Sequence, residues 1–180
     1  MRDKKVRLMT EIGVAVALAA LLNFITLFRM PQGGKISLEM LPILIVAIRW
    51  GGIPGLITGF VYGLLQLILD PYIVHPAQVF LDYPFAYMLV GLAGFIPVKL
   101  ETNNMMKAYR NILLAVLLGG FGRFISHLLS GVIFFGQYAP EGQSPWLYSS
   151  IYNASYIIPS ILVSYLIIIP ILKSLLDNNK

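Results

Sequence analysis

The sequence predicts an all-α integral membrane protein of six transmembrane helices, with residues 1–180 forming a single transmembrane domain. Three observations predict it. The chain is 58% hydrophobic and only 12% charged, with a mean hydropathy of +0.79. Soluble domains carry about 25% charged residues. The apolar runs approach the roughly 20 residues that cross a hydrocarbon layer. The basic residues gather at the ends of those runs rather than along a face, which is where a membrane protein keeps them. The last point sets aside nucleic acid as the explanation of a net charge of +5.

The elements follow in order. The first span is read from Arg7 to Phe28; its basic start resembles a signal peptide, but no small-residue cleavage segment follows, so it reads as a retained helix. RMPQGGK breaks the helix through Pro31 and the paired Gly33-Gly34. A short second span runs from Leu38 to Trp50 and ends at a Gly-Gly-x-Pro-Gly turn. The third covers Pro54 to Leu69, with proline in its first turn, where a missing N–H costs nothing. DPYIVHP leads to the fourth, Ala77 to Val98. A polar stretch, Lys99 to Arg110, precedes the fifth, Asn111 to Tyr138. APEGQSPW precedes the sixth, Leu147 to Leu172. The second and third runs are marginal spanners of a roughly 30 Å core.

Lys and Arg set the orientation. With the N-terminus inside, ten basic residues fall on the inner side: Arg2, Lys4, Lys5, Arg7, Arg49, Lys99, Lys107, Arg110, Lys173 and Lys180. Arg29 and Lys35 alone fall outside, and Arg123 lies within a span. The positive-inside rule therefore makes both termini cytoplasmic.

Polar groups inside a membrane are costly and mark function. Arg123 and His127 are four residues apart on the fifth helix and share a face. His127 lies about 24 Å along that helix from Asn111, in the outer half. Asp82 falls near the outer start of the fourth helix and Asn153 within two turns of the outer start of the sixth. Tyr72 lies in the outer loop before the fourth helix; Trp146 and Tyr148 lie at the start of the sixth. One carboxylate, one Arg, one His, one Asn and several aromatics at a single depth read as a pocket for a small, flat, cationic or polar aromatic molecule. Aromatic faces attract a cation by about 0.5–2 kcal/mol each, and Asn offers both donors and acceptors.

Ordinary roles compete with that reading. Asp82 and Arg123 can form a structural ion pair, interfacial Trp and Tyr anchor helices at the membrane surface, and Glu11 and Glu39 near span ends can cap or snorkel. Asp70 and His75 read as solvated loop residues. The first helix carries a small-residue stripe including Ala15 and Ala19, suited either to internal packing or to docking another membrane subunit.

Absences narrow the class. Without cysteine there is no disulfide or Fe–S chemistry, and two histidines make no structural zinc site. No catalytic constellation is present: there is no H-E-x-x-H, no G-x-S-x-G and no P-loop. No cofactor and no metal are expected, and a chain that transports without a P-loop draws its energy from another subunit.

Several segments carry a family resemblance across nearly the whole chain: VRLMTEIGVAVALAA, MPQGGKISLEMLPI, IRWGGIPGLITGFVYGLLQ, HPAQVFLDYPFAY, GRFISHLLSGVIFFGQYAPEG and YSSIYNASYIIPS. They resemble the thiamine-specific S-component (ThiT/YuaJ) family of the energy-coupling factor (ECF) vitamin transporters. The resemblance implies a six-helix S-component fold in a prokaryotic plasma membrane, with thiamine bound on the outer side. It implies a T-component and two ATPase subunits as partners, the ATP being used by those partners. It makes Asp82 the binding carboxylate and His127, Asn153, Tyr148, Tyr72 and Arg123 further ligand-binding residues, with Ala15 and Ala19 as the docking stripe. The family has Glu where Asp82 stands, Lys where Arg123 stands and Trp where Phe135 stands; a second family Trp falls within Gly33-Gly34-Lys35. Ring stacking then passes to Phe135, Tyr148 and Trp146, and RMPQGGK is expected to close as a lid. Two other readings remain: an S-component for another small vitamin or pyrimidine precursor, and a small membrane enzyme acting on a lipid.

Overall fold

The apolar runs fold into five long helices and one short one among the residues described by the structure, a computed structural model, which are 2–99 and 105–177. In chain order they are α1 (Arg2–Phe24), α2 (Met40–Trp50), α3 (Gly52–Leu69), α4 (Pro76–Phe95), α5 (Met105–Phe134) and α6 (Pro145–Asp177). Between α1 and α2 lies a hairpin of β1 (Thr26–Arg29) and β2 (Lys35–Ser37). Lys180 and residues 100–104 of the expected polar stretch lie outside the described residues.

The second span, expected to be short, is the shortest of the six among the described residues. α2 has 11 residues, about 16 Å at helical rise, roughly half the hydrocarbon thickness. Its surroundings explain how so short a helix survives. α2 touches each of the other five helices, and Met40, Ile43, Leu44 and Ala47 have no exposed surface. Backbone at membrane depth is tolerated where protein, not lipid, surrounds it. Gly51, at φ 99°, turns the chain sharply into α3. Because α3 is longer than α2, the start of α2 lies part-way down the bundle, and that places Glu39 in the interior.

The first helix stops at Phe24, four residues short of the expected Phe28, because the chain there pairs as strand. Phe28 sits opposite Ile36 and Arg29 opposite Lys35. Pro31 starts the turn, Gln32 and Gly33 take positive φ (46° and 88°), and Met30 N donates to Gly34 O at 2.7 Å. The expected loop is thus a folded hairpin.

α3 and α4 pack backbone to backbone. Gly55, Gly59 and Gly63 recur every fourth residue on α3. A Cβ on Gly59 would stand 2.0 Å from Tyr87 O, and one on Gly63 would stand 2.5 Å from Tyr83 O. Small residues permit this approach.

α4 is not one regular helix. An α turn, Pro76–Phe80, passes into a π-helical segment, Leu81–Phe85, before α geometry resumes at Ala86–Val90. Pro84 lies inside that segment. It supplies no N–H and its ring crowds the preceding turn; widening to π geometry accommodates both. Ser126 Oγ donates to the Leu81 carbonyl at 2.6 Å, so α5 braces the widened turn.

Glu11 does more than cap. It accepts from Trp50 Nε1 at 2.6 Å and pairs with Arg49 at 3.2 Å and Arg7 at 3.0 Å, tying the start of α1 to the end of α2. Ala15 and Ala19 face inward, 5% and 0% exposed, where α1 meets α2 and α3. They are therefore packing residues, with no surface left for a partner. The small residues on the exposed side of α1 are Gly13 and Ala17.

Candidate ligand cavity

A cavity of about 220 Å3 opens where the hairpin meets α3, α4, α5 and α6.

Asp82 stands in the π-helical segment of α4. Its Oδ1 lies 3.0 Å from His127 Nδ1, and its Oδ2 accepts from Gln78 Nε2 at 2.7 Å. Arg123 Nε approaches His127 Nε2 at 3.3 Å. A guanidinium only donates, so Nε2 accepts and the ring proton sits on Nδ1, aimed at Asp82. That arrangement joins Asp82 and His127 in one hydrogen bond at the cavity wall.

Arg123 is held from behind. Its Nη2 donates to Glu39 Oε1 at 3.0 Å and to the Tyr87 hydroxyl at 2.9 Å, and its guanidinium lies 4.5 Å from the centre of the Tyr87 ring. The ion pair considered from sequence, Asp82 with Arg123, is thus replaced by two separate pairs joined through His127. Glu39 is the hub that sequence reasoning passed over. It is fully buried, and Tyr62 donates to it at 2.9 Å, Lys35 pairs with it at 3.4 Å and the Tyr87 hydroxyl donates to its other oxygen. A buried carboxylate requires such compensation.

Asp70 is likewise partnered rather than solvated. Arg29 grips it in bidentate fashion at 3.1 and 2.8 Å, and Lys35 Nζ reaches it at 2.9 Å. Lys35 also donates to Asn23 Oδ1 on α1. Partial burial pushes the Asp70 carboxyl up, but hydrogen bonds and charge from Arg29 and Lys35 outweigh this and hold it below the usual carboxylate range. These contacts fasten one side of the hairpin. The other side is fastened by Tyr152, whose hydroxyl accepts from Gly34 N and donates to Pro31 O, both at 3.0 Å.

Aromatic rings complete the wall. Tyr148, Tyr152 and Tyr156 recur every fourth residue on α6 and all line the cavity; adjacent rings lie 6.1 and 5.8 Å apart. Across from them Tyr72 and Phe135 pair at 6.0 Å. Asn153 also reaches the wall, but its amide is engaged: Nδ2 donates to Ser149 O at 2.8 Å and Oδ1 accepts from Tyr156 at 2.7 Å.

Of the eight residues expected at a binding site, Asp82, His127, Asn153, Tyr148, Tyr72, Arg123 and Phe135 line this one cavity. Trp146 does not; its side chain is 55% exposed. At about 100° per residue, it sits about 200° around α6 from Tyr148 and points away. Gln78, Tyr152, Tyr156, Glu39 and Asp70 were missed. The i, i+4 spacings Gln78–Asp82 and Tyr148–Tyr152–Tyr156 were signals that could have found the first three.

A charged, aromatic-walled cavity inside a bundle of apolar helices defines a small-molecule-binding membrane protein. The chain belongs to the thiamine transporter protein family (Thia_YuaJ), whose family model matches residues 9–179. It is 33% identical over 174 residues to the thiamine transporter ThiT of Bacillus subtilis (strain 168), covering 93% of this chain and 91% of that one. It is 31% identical over 160 residues to ThiT of Lacticaseibacillus paracasei, covering 84% and 80%. A solved structure of ThiT from Listeria monocytogenes superposes with a TM-score of 0.86 at 30% identity, covering 95% of this chain and 96% of that one. The chain is accordingly a multi-pass transport protein of the prokaryotic cell membrane, and not an enzyme.

Proposed function

We propose that this chain is the thiamine-binding S-component of an ECF-type vitamin uptake transporter, loading thiamine from the extracellular side. The observation that carries the reading is Asp82: a carboxylate bonded to His127 and Gln78 in the wall of a cavity rich in aromatic rings. Thiamine joins a fixed thiazolium cation to an aminopyrimidine. Asp82 complements the cation or accepts from the exocyclic amine, and the rings of Tyr72, Phe135, Tyr148 and Tyr152 supply stacking faces. Arg123 acts through His127 by fixing its tautomer, and Asn153 positions Tyr156. The Arg29–Lys35 segment closes over the ligand as a lid. The chain carries no ATP-binding motif, so import is powered by a T-component and two ATPase subunits. The outward small residues Gly13 and Ala17 offer α1 as the docking face.

Isothermal titration of purified protein tests the reading. Asp82→Asn is expected to weaken thiamine binding by about tenfold or more without lowering the melting temperature of the ligand-free protein. Undiminished affinity would remove Asp82 from this role. Competition with riboflavin, biotin and hydroxymethylpyrimidine checks the choice of vitamin: wild-type protein that prefers any of them to thiamine overturns it.

A further inference from the structure

Four side-chain amides line the cavity: Gln32, Gln66, Gln78 and Asn153. Gln78 is fully engaged: Oε1 accepts from Val74 N at 3.1 Å, while Nε2 donates to Tyr72 O at 3.1 Å and to Asp82 at 2.7 Å. Asn153 bonds through both atoms of its amide. Gln32 sits in the hairpin turn, partly exposed and open to water. Gln66 on α3 is different. It is only 5% exposed, yet its amide makes no hydrogen bond among the described residues.

The two atoms of that amide are not equivalent. Oε1 is sealed inside the protein, beyond the reach of anything in the cavity. Nε2 is the atom that keeps accessible surface, at the cavity wall. The carboxylates nearby are committed to other partners. Asp70, one turn further along α3, holds Arg29 and Lys35. Glu39, which accepts from Tyr62 one turn earlier, also holds Lys35 and Arg123. An amide nitrogen carries two protons and only donates. Water can take those protons in an empty cavity. A ligand that displaces the water must supply an acceptor or leave a buried donor unpaired.

We propose that Gln66 Nε2 donates a hydrogen bond to an acceptor atom of the bound ligand and so selects for ligands that carry that acceptor. The proposal rests on the thiamine reading above, and thiamine has two kinds of acceptor for it, the nitrogens of the pyrimidine ring and the oxygen of the side-chain hydroxyl. Asp82 answers a cation or an amine proton but neither of these atoms, so Gln66 supplies the opposite half of the recognition. A site built to hydrogen-bond a ligand group rejects the analogue lacking it far more strongly than an apolar site does.

The test titrates wild-type protein, Gln66→Met and Gln66→Leu with thiamine, with analogues in which one pyrimidine nitrogen is replaced by C–H, and with the methyl ether and the deoxy form of the side-chain hydroxyl. Met keeps the length and apolar stem of Gln without the donor, and Leu serves if Met disturbs the fold. Wild-type protein is expected to prefer thiamine by about tenfold over one ring analogue or over the deoxy form, and the analogue that responds names the acceptor. Either variant is expected to bind thiamine about tenfold more weakly and to lose that preference. If the hydroxyl oxygen is the acceptor, the methyl ether, which keeps the oxygen but not the proton, binds wild-type protein like thiamine; an ether that binds as weakly as the deoxy form overturns that contact. Equal binding of all the ligands by wild-type protein overturns the proposal without any variant. So does a folded variant that keeps the wild-type preference, even if it binds every ligand more weakly, since a merely structural loss falls on all of them alike. Wild-type protein that fails to bind thiamine sinks the proposed function and this contact together; thiamine binding with unaltered discrimination in the variants sinks the contact alone.

Discussion

His127 shows how far single residues could be read. Its i, i+4 spacing to Arg123 put both on one face, and the structure keeps them 3.3 Å apart. Spacing could not say that Arg123 turns its charge toward Glu39, because Glu39 looked like a residue at the end of a span. Its burial depends on how short α2 is, and a hydropathy pattern alone does not reveal depth. Asp70 was hidden for a related reason: its partners, Arg29 and Lys35, lie 41 and 35 residues away in the chain. Trp146 failed in the opposite direction, since an aromatic at the start of a span looks the same whether it points in or out. Its exposed position makes a prediction: Trp146→Phe should change thiamine affinity by less than about twofold, well below the roughly tenfold of one lost ligand contact, as measured by isothermal titration. A tenfold loss would return Trp146 to the binding site.

Among the elements, the four long helices after α1 were legible to within a few residues at most ends, because their apolar runs are long and bounded by Gly, Pro and charge. The hairpin was not. Its strands are four and three residues long, too short for alternation to register, and ITLF continued the apolar run of α1. The hairpin matters because the Arg29–Asp70–Lys35 latch closes one side of it. Arg29 is half exposed and Asp70 a quarter exposed, so the latch contributes roughly 1 kcal/mol. Asp70→Asn is therefore expected to speed thiamine release roughly fivefold in stopped-flow measurements. The direction with pH follows from the lowered Asp70 carboxyl. The latch is fully present above the ordinary carboxylate pKa of about 4 and is lost as pH falls through the lowered value. Release from wild-type protein should thus be insensitive to pH between about 5 and 8 and accelerate only below about 4. Acceleration beginning near neutrality would assign the latch elsewhere.

At the scale of the whole molecule, α1 is the least covered long helix: 22% of its apolar window is buried, against 39–44% in the other four. Its inner face, with Ala15 and Ala19, is spent on α2 and α3, and its outer face presents Gly13 and Ala17. If the proposed docking uses that face, Ala17→Trp should abolish thiamine uptake by reconstituted transporter while leaving thiamine affinity of the isolated chain within about twofold, since Ala17 lies outside the cavity wall. Uptake at wild-type rate would move the docking face off α1. Tyr152 carries a consequence at the same scale. Its hydroxyl holds both flanks of the hairpin turn, and its ring is part of the cavity wall. A ligand that settles the ring therefore settles the turn, and thermodynamic reciprocity requires that a settled turn tighten the ligand by the same factor. Occupancy can thus be signalled to the rim through one side chain.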